Sequence, residues 1–172
     1  MTIPKWIAAA VELLELQPDD HILEIGCGNG AAAVLVCERL AGGHLVALDR
    51  SEKQIRLARE RLRPYLQAGK VSLRVTALES ASLDDAKFDK IFAINVNCFW
   101  LRYEQPLAVV MRLLKPDGMF FVFYEHPAAA KMIEMAPVLR TNLVESSFTI
   151  RQEVTTGPVY CLVSSPQSEE GE

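Results

Sequence analysis

The sequence predicts an α/β fold: an open, doubly wound, mostly parallel sheet with helices on both faces. Short apolar runs of strand length alternate with helical patterns from His21 to Glu125, the order expected of βαβ units. A glycine-rich stretch, Gly26-Cys27-Gly28-Asn29-Gly30, joins the first such run to the helix after it. Near the end of the chain the pattern changes to two alternating segments around Thr155-Thr156-Gly157-Pro158, which reads as a hairpin.

Each element has its own local cause. Pro4 suits the first turn of a helix, and Ile7, Val11 and Leu14 make its apolar stripe. Residues 1–18 are therefore a helical segment that is a candidate lid. Pro18-Asp19-Asp20 ends it, and His21 to Ile25 is the first strand. A helix over 29–40 stops at Gly42-Gly43, and Leu45 to Leu48 is the second strand. Ser51 caps a helix whose Ile55, Ala58, Leu62 and Leu66 share a face, with a kink or early end at Pro64. Val71 to Val75 alternates apolar and polar residues, which places this third strand near an edge. Phe88 to Asn95 is a buried-type fourth strand that continues into Val96 to Trp100 without a break. A helix from Glu104 to Leu114 follows, then a turn at Lys115 to Gly118 and a fifth strand, Met119 to Tyr124. After Glu125-His126-Pro127, a helix over 128–145 is expected to be interrupted near Pro137. Phe148 to Val154 and Val159 to Val163 supply the sixth and seventh strands. One domain over 1–164 results, and the polar, acidic stretch 165–172 is expected to be disordered.

The glycine stretch carries the functional argument. Three alternate glycines would let something touch bare backbone, although a tight turn alone would also use them. About twenty residues further on, Leu45-Val46-Ala47-Leu48 ends in Asp49, where an acid can meet a ribose hydroxyl in a βαβ unit. The dinucleotide fingerprint places its third glycine three positions after the second, whereas Gly30 follows Gly28 by two. The G-x-G-x-G form, preceded by Glu24, resembles the first motif of the class I S-adenosylmethionine-dependent methyltransferases. Two later segments are similar to that family. One is the Phe88-Asp89 opening of the fourth strand. The other is Leu114-Lys115-Pro116-Asp117-Gly118, which departs from the frequent Leu-Lys-Pro-Gly-Gly only at Asp117.

The resemblance implies a Rossmann-like, seven-stranded, mostly parallel sheet with an antiparallel C-terminal hairpin. It also implies methyl transfer from S-adenosylmethionine, leaving S-adenosylhomocysteine. Gly26, Cys27, Gly28 and Gly30 would lie under the methionine part. Glu24 would hold the loop, or the amino group through water, and Asp49 would accept both ribose hydroxyls with Arg50 beside it over the adenine. The family often has an acid after the third strand, commonly in Gly-Asp-Ala, where this chain has Thr76-Ala77-Leu78-Glu79. Adenine would then be held at Ala77 and Leu78 by backbone and packing, or by Glu79 shifted along; Glu79 equally suits a helix start.

Residues after the fourth strand stand at the carboxyl edge, where ligands bind in open α/β sheets. Asn95 would end the strand beside the cofactor. Asn97, Trp100, Tyr103, Tyr124 and Trp6 are candidates for the acceptor pocket. His126 is the histidine nearest the expected site and a candidate general base, while His21 and His44 start strands at the other edge and read as structural. A non-catalytic binding module of the same fold, or a nicotinamide oxidoreductase, would share parts of this pattern.

Composition narrows the classes. A formal charge of −4 over 172 residues argues against a nucleic-acid partner, and Arg56, Arg59, Arg61 and Arg63 read as a solvated helix face. Cys27, Cys37, Cys98 and Cys161 show no metal-ligand spacing, so no metal is expected, and scattered thiols suit a cytoplasmic protein. No apolar run has the length of a membrane span. With nearly the whole chain used by the core fold, a small-molecule acceptor is expected, or a pocket completed by a second subunit in a homodimer.

Overall fold

The computed structural model describes residues 2–83, 86–125 and 129–167. Its strands are β1 (His21–Ile25), β2 (His44–Asp49), β3 (Val71–Val75), β4 (Phe88–Ile94), β5 (Leu114–Glu125), β6 (Phe148–Thr156) and β7 (Val159–Pro166). They form one sheet in the order β3-β2-β1-β4-β5-β7-β6. The pairings from β3 through β5 are parallel, and β7 runs antiparallel to both β5 and β6. β3 lies at one edge, as its alternation predicts.

Because side chains alternate along a strand, the sheet has two cores. Leu23, Ile25, Leu48, Ile91 and Phe120 face one side, under α5 (Cys98–Leu101), α6 (Glu104–Leu113) and α7 (Ala129–Glu145). Ile22, Ala47, Phe92 and Phe123 face the other, under α1 (Lys5–Glu12), α2 (Ala31–Arg39) and α3 (Glu52–Arg61). A short α4 (Arg63–Gln67) starts where Pro64 stops α3. The chain visits β1, β2 and β3 outward on one side, then returns to β4 on the other. The carboxyl ends of β1 and β4 therefore flank the switch point where α/β sheets open a crevice.

Charges secure the amino ends of the same strands. Lys90 reaches Asp20 at 2.6 Å with both side chains nearly buried, and Lys115 reaches Asp89 at 2.6 Å. The backbone N–H of His21 donates to Asp89, and the His44 ring bonds Gly69 O and Ser72 Oγ, each at 2.9 Å. His44 is thus fully used in structure.

Four details depart from the sequence reading. β4 does not run on through Trp100: Asn95 takes a left-handed conformation, φ 57°, which ends the strand before α5. The turn at 115–118 is instead a wide bulge within β5, since Phe88 pairs with Leu114 and Lys90 with Met119. A Cβ on Gly118 would come within 2.9 Å of Phe88 O, so glycine is what lets the bulge close. α7 is continuous across Pro137, which is exposed; burial of Met135, Leu139 and Leu143 offsets a proline cost of about 3 kcal/mol. Finally, Ser165 and Pro166 belong to β7, paired with Thr149 and Phe148, because the hairpin runs further than its apolar alternation; 168–172 lie outside the described residues.

Candidate ligand-binding site

A cleft of about 380 Å³ opens at the carboxyl ends of β1, β2 and β4. Its floor is the loop between β1 and α2. Cys27 N–H donates to Leu48 O at 2.8 Å, and Gly30 N–H to Cys27 O at 3.0 Å, which folds the loop back over β2. Arg61 of α3 holds it from the side through Asn29 Oδ1 at 2.8 Å.

All three loop glycines have positive φ, but they do different work. A Cβ on Gly26 would meet Val96 Cγ2 at 2.6 Å, and one on Gly30 would meet Leu62 and Ala58 of the α3 segment at 3.0 and 3.2 Å. Only Gly28 faces open space, with nothing within 4 Å of its Cβ position. Gly30, read as a cofactor contact, is instead buried against α3 and lets that helix pack closely. Gly28 is the bare surface.

Two acids line the cleft. Asp49 ends β2 and is the anchor of both loops: Oδ2 accepts Gly28 N–H and Oδ1 accepts Ser51 N–H, each at 2.8 Å. Each carboxylate oxygen retains acceptor capacity for one more donor. Glu24 is 3% exposed, and its Oε2 has no hydrogen-bond partner among the described residues. Burial, and then the like charge of Asp49, push its carboxyl up to about 8. The same burial, with Glu24 and Asp49, pushes the Cys27 thiol far above its ordinary range, so it is no nucleophile. The arrangement asks for a ligand with a cation or strong donor at Glu24, hydroxyl donors at Asp49, and a body that lies over Gly28.

Of the residues the sequence singled out, Trp6, Glu24, Gly26, Cys27, Gly28, Asp49 and Asn95 line this one cleft. Trp6 arrives on the first turn of α1, which is how the N-terminal helix reaches the site. Asn95 Oδ1 accepts Glu125 N–H at 2.8 Å, tying β4 to β5 at the rim. Others fall elsewhere. Arg50 and Ala77 are exposed, and Leu78 is buried in the core beneath the sheet; none of their side chains lines the cleft. Asn97 and Trp100 bond each other. Tyr103 donates to Glu145 at 2.7 Å and lines a separate hollow between α6 and the end of α7. Tyr124 is core, its ring buried and its hydroxyl donating to Val96 O, so it does not line an acceptor pocket. His126 lies outside the described residues. Ile7, Gln54 and Ile94 line the cleft too; nothing local in the sequence marks them, except that Gln54 stands in the first turn after Asp49. Among the described residues there is no group of side chains that could hold a metal ion, and no helix is long and apolar enough to cross a membrane.

Residues 23–120 match the family model described as a methyltransferase domain. A putative methyltransferase of Bacillus subtilis is 29% identical over 114 residues, covering 65% of this chain and 61% of the relative. The trans-aconitate 2-methyltransferase of Acidovorax sp. is 35% identical over 105 residues, covering 59% of this chain and 37% of the relative. The chain thus spans less than two thirds of the length of these relatives. Among solved structures, an S-adenosylmethionine-dependent methyltransferase from Clostridium acetobutylicum superposes with a TM-score of 0.75 at 14% identity, covering 98% of this chain and 93% of that one. That likeness is one of fold.

Proposed function

We infer the function from one premise: the chain belongs to the methyltransferase domain family. The reaction we propose is in-line methyl transfer from S-adenosylmethionine to a small-molecule acceptor. When bound, that cofactor supplies an electrophilic methyl on a sulfonium: the acceptor's lone pair forms the new bond to carbon, the C–S pair returns to sulfur, and a neutral thioether is left. The chain's own part is to bind, orient and exclude water. Proximity and alignment of this kind are worth roughly 7–11 kcal/mol.

The carrying observation is the unpartnered Glu24 carboxyl in the floor of the cleft beside open Gly28. It fits an amino acid ammonium, which would supply the missing donor and charge. Asp49 keeps one acceptor site on each oxygen, suited to a vicinal diol. Trp6 and Ile7 would cover the ligand from the α1 side and keep bulk water out. Arg50, Ala77 and Leu78 remain the proposed adenine side by backbone and packing. His126 is the proposed general base where the acceptor has a proton to lose; otherwise that proton leaves to water.

Calorimetry with S-adenosylhomocysteine tests the binding half. Wild type should bind, and Gly28→Val should weaken binding by at least about tenfold because its side chain enters the cleft. Absence of binding to wild type, or unchanged affinity in Gly28→Val, would overturn the reading.

A further inference from the structure

The polar and apolar parts of the cleft are unevenly placed. Its charged side chains are Glu24 and Asp49, both acids, and no lysine, arginine or histidine lines it among the described residues. A third acid, Glu125, ends β5 and receives the Asn95 bond at the rim. The remaining half-buried wall is Trp6 and Ile7 from α1 and Ile94 at the end of β4. An anionic acceptor entering here would lose water without meeting a cation, close to carboxylates whose mutual repulsion is already felt at Glu24. An apolar ring or chain would lose nothing by the same move, since Trp6, Ile7 and Ile94 offer it surface.

We propose that the acceptor of this cleft has an apolar body set against Trp6, Ile7 and Ile94 and carries no negative charge, so that carboxylates and phosphates are turned away by Glu24 and Asp49. This rests on the methyl-transfer reading and adds the substrate's charge class to it. It also separates the chain from an enzyme of the kind whose name specifies trans-aconitate, a polycarboxylate, although the two share a third of their aligned residues.

The test compares naphthol, naphthylamine and naphthoate, three molecules with one ring system and different charge, titrated into wild-type protein saturated with S-adenosylhomocysteine. Naphthol and naphthylamine should bind at least about tenfold more tightly than naphthoate. Ile7→Lys, and independently Gln54→Lys in case the first fails to fold, should move that ratio about tenfold toward naphthoate by placing a cation in the wall. Equal or tighter naphthoate binding to wild type overturns the inference. So does a ratio unmoved in a folded lysine variant, or failure of all three compounds to bind the saturated protein. Failure of S-adenosylhomocysteine itself to bind is a different result: it removes the underlying methyl-transfer reading.

Discussion

Glu24→Gln isolates the energetic cost of the cleft floor. The substitution keeps the shape of the side chain and removes its ability to ionise. In the fold, burial and Asp49 raise the Glu24 carboxyl from its ordinary 4.5 to about 8. The folded protein therefore binds more protons than the unfolded chain between those values, and stability must fall as pH rises through that window. At about 1.4 kcal/mol per pH unit the full cost of ionisation is about 5 kcal/mol, complete only above the folded value. Between about pH 5 and about pH 7.5 the stability of Glu24→Gln should gain about 3 kcal/mol on wild type. Urea melts of both proteins at the two pH values read this difference directly, and other titrating groups cancel in it. A gap that does not change with pH would refute the reasoning, since it would mean that Glu24 is ionised or solvated in the fold. The proposed ligand adds a second readout. An ammonium against Glu24 favours the carboxylate, so binding near neutral pH should release close to one proton, measured by calorimetry in buffers of different ionisation enthalpy.

The other expectations concern the frame around that floor. Asp49→Ala leaves the N–H groups of Gly28 and Ser51 without their acceptor and should cost about 1–3 kcal/mol of stability in addition to ligand affinity, seen in thermal melts and calorimetry. Gly30→Ala must press a methyl to 3.0 Å from Leu62 and 3.2 Å from Ala58 at φ 77°. It should destabilise by about 2–4 kcal/mol from clash and strain together. Gly28→Ala carries only the strain of about 1–2 kcal/mol, so denaturant midpoints should separate the two glycines. Lys90→Met strands the nearly buried Asp20 carboxylate and should cost about 3–5 kcal/mol in urea melts, with the binding site at the far ends of the strands unchanged in composition.

What could be read from sequence was whatever depends on near neighbours. Glu24, Gly28 and Asp49 sit at the ends of consecutive strands in one βαβ unit, so their spacing alone brings them together; β1 and β2 pair in register from His21 and His44 onward. Ser51 as a cap, and the break at Pro64, are equally local. The misreadings come from distance. That Gly30 serves packing needs knowledge that Ala58 and Leu62 cross over it. That Tyr124 is core and Trp6 is site depends on which face of β5 is covered and where α1 lies, and neither leaves a trace in periodicity. The end of β4 was hidden because Asn95 looks like any polar residue until its left-handed φ is seen. Lining residues such as Ile7 and Ile94 are apolar like their neighbours and become part of a site only through the third dimension.

The two ends of the sheet make the strongest case that the floor carboxyl is there for a ligand. At the amino ends, Asp20 is 8% exposed and fully provided for: Lys90 at 2.6 Å and Gln17 N–H at 2.8 Å meet the same carboxylate. At the carboxyl ends, Glu24 on the same β1 segment is 3% exposed, lacks any such partner among the described residues, and faces a second acid. A chain that can pair a buried carboxylate at one end of a strand is not short of means to do so at the other. Stability alone would favour an apolar residue at position 24, between Ala47 and Phe92 in the register. Local rules broken at one place in an otherwise consistent fold mark function. Here the break has a defined chemical complement, a cation with a hydrogen to donate, and the stability lost in the empty cleft would return on binding as affinity for that charge.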